Sequence, residues 1–124
     1  MSMSTTRCQV LVVDDDLSIS AVLAEFLEDE GYAVEVAKHG LDALAQLRNG
    51  LRPCLILLDW KMPVMGGAQF RVEQQRDNEL AAIPVAVISA HITQDATEHV
   101  DADAFLPKPF TLDQLSATVA RFCL

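Results

Sequence analysis

Hydrophobic residues fall along the chain in short runs that predict five strands. The predicted strands are residues 10–13, 33–37, 54–59, 83–88 and 104–106. The run at 54–59 is apolar up to its last residue, Asp59, which is typical of a strand buried on both faces of a parallel sheet. The segment 33–37 alternates apolar and polar residues, which indicates a half-exposed edge strand. Pro84 lies near the start of its strand, where proline is tolerated.

Apolar residues three and four positions apart predict helices between and after these strands. They are Ile19, Val22, Leu23, Phe26 and Leu27 in the first helix, Leu41, Leu44 and Leu47 in the second, and Leu112, Leu115, Val119 and Phe122 in the last. A third helix is expected at about 67–78. Residues 92–100 carry little apolar surface, so we expect the fourth helix to be short or irregular.

Start and stop signals support these helices and complete the fold prediction. Asp16 is placed as the N-cap of the first helix, and Gly31 follows its last apolar turn. Thr111 and Gln114 form a capping box at the start of the last helix. Because strands and helices alternate, we predict an α/β fold: a three-layer, doubly wound sheet of five parallel strands with five helices on its two faces.

Length and charge narrow the possible classes of protein. The 124 residues correspond to one domain, which we place at 8–124 after a flexible N-terminal extension at 1–7. No apolar run approaches the ~18 residues of a membrane span, and the first residues do not resemble a signal peptide. We therefore expect a cytoplasmic protein without membrane contact. The net charge of −9 disfavours direct binding of nucleic acid.

Three cysteines occur at distant positions, Cys8, Cys54 and Cys123. Their odd number and their spacing indicate neither a disulfide framework nor a zinc site. We interpret all three as small buried apolar residues.

Polar residues follow four of the predicted strands. Asp14 and Asp15 come after the first, Asp59 ends the third, Ser89 follows the fourth, and Lys108 follows the fifth. If the strands are parallel, these residues lie at one edge of the sheet. Clustered carboxylates repel one another, so this edge is expected to take up a proton or a divalent cation such as Mg²⁺. The lysine and the hydroxyl would suit a phosphoryl group beside that cation.

The arrangement resembles the receiver domain of two-component response regulators, as found in chemotaxis receivers, over residues 10–122. The resemblance is carried by Val12-Val13-Asp14-Asp15-Asp16, by Asp59-Trp60-Lys61-Met62-Pro63 with Gly67, by Ser89-Ala90, and by Lys108-Pro109-Phe110. It implies a flavodoxin-like sheet in the strand order 2-1-3-4-5.

The resemblance also implies a metal site. Asp59 would be the phosphoacceptor and would help to hold Mg²⁺ or Mn²⁺. Asp15 would be a direct ligand, Asp14 would act through a water molecule, and Lys61 would contribute its backbone carbonyl.

Further roles follow from the same resemblance. Ser89 and Lys108 would bind the phosphoryl oxygens while Asp59 attacks phosphorus and a phosphohistidine donor leaves. The donor would be a sensor histidine kinase or a histidine phosphotransfer protein. Ser89 would then move, and Phe105 would turn into the vacated space to signal to an unknown protein partner. The chain would be a phosphoacceptor that assists its own reactions, not an enzyme.

Several residues keep two interpretations. The three histidines, His39, His91 and His99, are interpreted as solvated, although His91 could tune the lifetime of the phosphoryl group, as could Lys61. Phe105 could be core only. Trp60 could pack over its loop, or it could contact a partner or cover the site. The resemblance suggests a cis peptide bond before Pro109.

Departures from the family pattern leave alternatives to the phosphoacceptor function. Gly66 stands where an aspartate is usual, which removes a helix cap, and the segment between Ser89 and Lys108 is short. The chain could be a phosphate-independent interaction module, or a receiver fragment of a hybrid histidine kinase or larger regulator. A magnesium-dependent phosphatase is disfavoured because Lys61 occupies the place of a second catalytic aspartate. We expect a monomer or a weak dimer.

Overall fold

The computed structural model describes residues 9–60, 64–89 and 102–123, and it contains five strands and five helices within these ranges. The strands are β1 Gln9–Val13, β2 Ala33–Ala37, β3 Leu55–Asp59, β4 Val85–Ser89 and β5 Ala104–Pro107. The helices are α1 Leu17–Asp29, α2 Gly40–Arg48, α3 Gly67–Gln75, α4 Asn78–Ala81 and α5 Leu112–Phe122. The N-terminal extension and the predicted helix at 92–100 lie outside the described residues.

All five strands form one parallel sheet in the order β2-β1-β3-β4-β5. The predicted fold class and strand order are therefore confirmed. The register aligns the strand ends, since Val13 pairs with Leu58, Asp59 with Ile88, and Ser89 with Pro107. As predicted, β2 is an edge strand with an exposed residue at its centre.

Two apolar layers cover the sheet, one on each face. Leu55 and Leu57 of β3 contribute to the layer beneath α1 and α5, whereas Ile56 and Leu58 contribute to the layer beneath α2 and α3. All four side chains are fully buried. This two-sided burial explains why the third strand is continuously apolar, and it confirms the three-layer prediction.

The helix ends agree with the predicted signals in two helices. Asp16 accepts hydrogen bonds from the backbone N–H groups of Ser18 and Ile19, at 3.0 and 3.3 Å. Gly31, just past α1, has a φ of 100°, a conformation that favours glycine. The capping box of Thr111 and Gln114 is present in α5.

The helix predicted at about 67–78 is present as α3, but its predicted end is wrong. Helix α3 ends at Gln75, and Asp77 caps a separate short helix α4 by accepting from Glu79 N at 2.9 Å. The buried Gln74 amide donates to the carbonyls of Leu80 and Ile83 at 2.8 and 3.1 Å, which fixes the bend between the helices. An aspartate that can cap competes with helix continuation.

The interpretation of the cysteines as small buried apolar residues, with no disulfide indicated, is wrong for two of them. Cys54 and Cys123 form a disulfide, with Cα atoms 5.8 Å apart and 69 positions apart in sequence. Spacing could not indicate the pairing, because the fold alone brings the start of β3 beside the end of α5.

Candidate functional site

Backbone hydrogen bonds hold the ends of the strands together at the carboxyl edge of the sheet. Asp14 N donates to Ala37 O at 3.1 Å, and Lys108 N donates to Ser89 O at 2.9 Å. Asp59 is the last residue of β3, and Ser89 is the last residue of β4. The fold therefore gathers at one edge the polar residues that the sequence placed after separate strands.

Three carboxylates converge at this edge. Asp14, Asp15 and Asp59 each offer an oxygen atom, and these atoms lie within 4.8 Å of one another. Asp14 and Asp59 are buried, whereas Asp15 is exposed. Negative charges at this separation repel, by about 4 kcal/mol for a pair ~4 Å apart at an effective dielectric constant near 20. The arrangement therefore favours a bound cation or a bound proton.

Asp14 has one buried carboxylate oxygen without a hydrogen-bond donor in the described part of the chain. Its Oδ1 accepts from Asp16 N at 2.9 Å, but its buried Oδ2 has no hydrogen-bond partner within the described ranges. Burial raises the pKa of the Asp14 carboxyl, and the charges of Asp15 and Asp16 raise it further. The hydrogen bond from Asp16 and the positive charge of Lys108 act in the opposite direction. A buried carboxylate oxygen without a donor is suited to a hard cation.

Lys108 reaches the carboxylates from the end of β5. Its Nζ lies 3.7 Å from Asp59 Oδ1, and its side chain is partly buried. The peptide bond between Lys108 and Pro109 is cis, as the resemblance implied. The short distance to Asp59 shows that the lysine side chain is directed towards the carboxylates instead of lying on the open surface.

The loop after Asp59 is closely packed where Trp60 meets Gly67. Gly67 N donates to Trp60 O at 3.0 Å, and a Cβ atom on Gly67 would clash with the Trp60 ring. Trp60 is partly buried and packs on the apolar layer beneath α2 and α3. The described contacts thus agree with the packing interpretation of Trp60. As expected, Gly66 provides no side-chain cap for α3.

Backbone strain occurs in the same loop at Val64. Its φ of 68° is unusual for a β-branched residue, and its side chain is exposed. Such strained residues cluster at functional sites. Lys61, whose carbonyl was predicted to bind the metal, lies outside the described residues.

The predicted switch residues occupy different environments. Ser89 is buried at the site, with 6% of its surface exposed. Phe105 is partly buried and packs against the layer beneath α2 and α3. In the pairing of β4 with β5, Phe105 lies beside Val87. His91, the predicted tuning residue, lies outside the described residues.

The sequence interpretation missed a support for the site at the start of α2. His39, interpreted as solvated, is partly buried and caps α2 by accepting from Asp42 N on its Nδ1 atom, at 3.2 Å. Gly40 N donates to Met65 O at 3.1 Å, and the Met65 side chain leaves no room for a Cβ on Gly40. The spacing of His39 and Asp42 was the available signal, since it places an acid at the third helical position.

Comparison with known proteins assigns this chain to a family. The family model described as the response regulator receiver domain matches residues 10–120. The chain belongs to this family. It is a receiver domain of the kind found in two-component response regulators, with a flavodoxin-like fold.

Curated receiver proteins are similar over most of this chain. It is 39% identical over 108 residues to a response regulator receiver protein of Anaeromyxobacter sp. (strain Fw109-5), an alignment that covers 85% of this chain and 44% of that protein. It is 34% identical over 114 residues to the transcriptional regulatory protein CpxR homolog of Haemophilus influenzae, covering 90% and 48%. The receiver spans about half the length of these relatives.

Solved receiver structures share the fold. The chemotaxis protein CheY4 of Vibrio cholerae, crystallised at low pH, superposes with a TM-score of 0.87 at 31% identity, covering 94% of this chain and 99% of that one. The receiver domain of a histidine kinase from Syntrophus aciditrophicus gives a TM-score of 0.84 at 28% identity, covering 93% and 89%.

Membership of the family establishes a general function. Receiver domains are signalling phosphoacceptors that bind Mg²⁺ through acidic residues and interact with histidine kinases and output domains. Within the described residues, no helix is long and apolar enough to cross a membrane.

Proposed function

We propose that this receiver accepts a phosphoryl group on Asp59 from a phosphohistidine donor. One observation carries the proposal. Lys108 Nζ lies 3.7 Å from Asp59 Oδ1, beside three carboxylates whose oxygens lie within 4.8 Å of one another. A carboxylate with a fixed cation beside it, at the carboxyl edge of a parallel sheet, is suited to attack on an anionic phosphoryl group.

The reaction transfers the phosphoryl group between two nucleophiles. An Asp59 carboxylate oxygen forms a bond to phosphorus, the bond from phosphorus to the donor imidazole nitrogen breaks, and the imidazole takes a proton from solvent. Lys108 offsets the charge that accumulates on the phosphoryl oxygens. Ser89, buried at the end of β4, contributes a hydroxyl to the same oxygens. The product is an acyl phosphate on Asp59.

The acidic cluster is suited to Mg²⁺, or to Mn²⁺ in its place. Asp14, Asp15 and Asp59 would hold the ion together with the backbone carbonyl of Lys61. The buried Asp14 Oδ2, which lacks a hydrogen-bond partner in the described ranges, supports this assignment because a cation would satisfy it. When bound, the ion supplies positive charge that offsets the repulsion between the carboxylates and the incoming phosphoryl group.

The proposed output is a local rearrangement on the β4–β5 side. Ser89 moves towards the phosphoryl group, and Phe105, already only partly buried, turns inward. Phosphorylation thus biases an element with two states. His91 and Lys61 are the proposed residues that tune how long the acyl phosphate lasts.

The partners are proposed from family membership and charge. A sensor histidine kinase or a histidine phosphotransfer protein supplies the phosphoryl group, and a separate protein or a neighbouring domain reads the switched state. The net charge of −9 argues against direct contact of this chain with nucleic acid. We place the receiver in the cytoplasm as a monomer or a weak dimer.

Intact mass measurement after incubation with acetyl phosphate and Mg²⁺ tests the proposal. We expect one phosphate adduct on the wild-type chain and on Asp29→Asn, which removes an exposed carboxylate at the end of α1. We expect no adduct on Asp59→Asn. An unmodified wild-type chain would overturn the proposal in favour of a phosphate-independent module. Continuous release of phosphate over many turnovers would instead indicate a phosphatase.

A further inference from the structure

A covalent link lies at the end of the sheet opposite Asp59. Cys54 directly precedes β3, and Cys123 directly follows α5. Their Cα atoms lie 5.8 Å apart, in the middle of the range that a disulfide requires. The link joins the start of a central strand to the end of the last described helix.

The two cysteines differ in their accessibility. Cys123 is 3% exposed, and its N–H donates to Val119 O at 3.0 Å. Cys54 is partly exposed and packs at the margin of the apolar layer beneath α1 and α5. Its N–H donates to Gln9 O at 2.8 Å, which fixes it beside β1. Cys54 is therefore the more exposed cysteine of the pair, and the proposal places the attack of a small thiol there.

We propose that Cys54 and Cys123 form a reversible thiol–disulfide site that responds to low-molecular-weight thiols of the glutathione class. The oxidised form fastens the end of α5 to the start of β3, and the reduced form releases it. The proposal rests in part on the proposed cytoplasmic location. Cytosolic thiols are kept reduced, and the disulfides that do form there are usually redox-responsive.

The exchange balances in two steps. A thiolate of the small thiol attacks Cys54 Sγ, the bond between the two cysteine sulfurs breaks, and Cys123 leaves as a thiolate that takes a proton. A second thiolate then attacks the mixed disulfide and releases Cys54. In total, two small thiols are oxidised to one small disulfide, and the protein disulfide is reduced to two thiols. Oxidation of the protein by the small disulfide is the reverse.

Within the folded state, the consequence is confined to the C-terminal turn of α5. The helix is held in the core by Leu115 and Val119, which are fully buried. After Val119, the disulfide adds a covalent attachment that holds the last turn against β3. Asp59 lies at the other end of β3, about 16 Å away for a five-residue strand. The proposed redox change therefore leaves the reaction of Asp59 unaltered.

A glutathione titration followed by alkylation tests the exchange. Cys8→Ser removes the third cysteine, so that only the proposed pair can react. We expect the folded variant to take up no alkylating label in excess glutathione disulfide and two labels in excess glutathione. Peptide mapping of the wild-type chain should find Cys54 joined to Cys123, so the test does not depend on the variant. Two labels under all conditions, or none under all conditions, would overturn the proposal.

Hydrogen exchange tests the structural consequence. On reduction, the amides of residues 120–123 should exchange faster by about tenfold or more through local opening of the last turn of α5, at labelling times before the β3 amides, which exchange on global unfolding, have exchanged. Cys123→Ser, compared under the same two conditions, should show no difference. Unchanged exchange in the wild-type chain would overturn the release of α5. Acyl phosphate formation, measured in parallel, should be equal in both redox states, so failure of either proposal is distinguishable from failure of the other.

Discussion

The two ends of β3 differ in what they contribute to the protein. At its carboxyl end, Asp59 joins two other carboxylates, and the buried Asp14 Oδ2 has no hydrogen-bond partner in the described ranges. At its amino end, Cys54 is bonded to Cys123 beside the hydrophobic layer beneath α1 and α5. The carboxyl end of β3 thus carries carboxylates that repel one another, and the amino end carries a disulfide.

This contrast shows how a small domain keeps a strained site. Repulsion between carboxylates lowers the free energy of unfolding, and local strain of this kind persists only where the surrounding structure determines it. The four apolar residues of β3 are fully buried between the two ends. They carry the rigidity that holds Asp59 in place. The following predictions test this division, from the largest expected effect to the smallest.

The first prediction concerns the closed end. Reducing the disulfide should lower the free energy of unfolding by about 4 kcal/mol, because the link closes a loop of 69 positions. Urea unfolding with and without a reductant measures the difference. Cys8→Ser should respond to the reductant as the wild type does, whereas Cys54→Ser should not respond. Equal stability of the reduced and oxidised wild type would contradict the prediction.

The second prediction concerns the cation beside Asp59. Lys108→Ala should slow formation of the acyl phosphate by about 100-fold, because it removes a charge that stabilises the transferring oxygens. The rate is measured by intact mass against time with acetyl phosphate. Lys38→Ala, which removes an exposed lysine after β2, is the matched control and should keep the wild-type rate. A rate within twofold of the wild type for Lys108→Ala would show that Lys108 does not stabilise the transferring oxygens.

The third prediction concerns the stability that the buried Asp14 carboxylate takes from the folded protein. Without Mg²⁺ at pH 7, Asp14→Asn should raise the free energy of unfolding by about 1 kcal/mol, since it removes a buried charge. Asp29→Asn should change it by less than about 0.5 kcal/mol.

The pH dependence of this effect has a definite sign. The pKa of Asp14 is raised in the folded protein above the ordinary value of 3.8, so folding binds a proton and stability falls as pH rises through the folded pKa. The advantage of Asp14→Asn should therefore vanish below the ordinary value. Mg²⁺ at ten times its dissociation constant should add about 1.4 kcal/mol to the wild type and less to the variant. If Mg²⁺ stabilised Asp14→Asn more than the wild type, the assignment of Asp14 to the metal site would be contradicted.

The smallest effect is expected at Val64, in the strained loop after Asp59. Val64→Gly should raise the free energy of unfolding by about 0.5 kcal/mol. Relief of a left-handed conformation gains about 1–2 kcal/mol, and the flexibility of glycine costs about 0.5–1 kcal/mol. The exposed valine side chain contributes little packing. Chemical denaturation measures the change, and Val72→Gly, at an exposed position inside α3, should be destabilised instead. A loss of stability at Val64 would show that its conformation is not strained.

The strands could be predicted because each follows from a local hydrophobic pattern. Their order could be predicted because the family resemblance implies it. Continuous apolar runs such as 54–59 predict buried parallel strands directly. The polar residues at the strand ends could be recognised because parallel strands bring all their carboxyl ends to one edge. The sequence therefore placed Asp14, Asp59, Ser89 and Lys108 at this edge without knowledge of any distance.

Other features depend on contacts that no local pattern encodes. The Cys54–Cys123 link requires the start of β3 and the end of α5 to meet, and 69 positions separate them. The bend between α3 and α4 depends on the buried Gln74 amide, whose acceptors lie six and nine residues ahead. The cap at His39 was missed because histidine is not among the usual capping residues.

The central claim is that Asp59 is the residue that carries the phosphoryl group. Its most direct test is to phosphorylate the receiver with acetyl phosphate and Mg²⁺, trap the acyl phosphate by borohydride reduction, and map the modified peptide by mass spectrometry. We predict that Asp59 is converted to homoserine, while Asp14 and Asp15 are unchanged. Conversion at Asp14 or Asp15 in place of Asp59, or no conversion in a chain that has gained phosphate, would contradict the account.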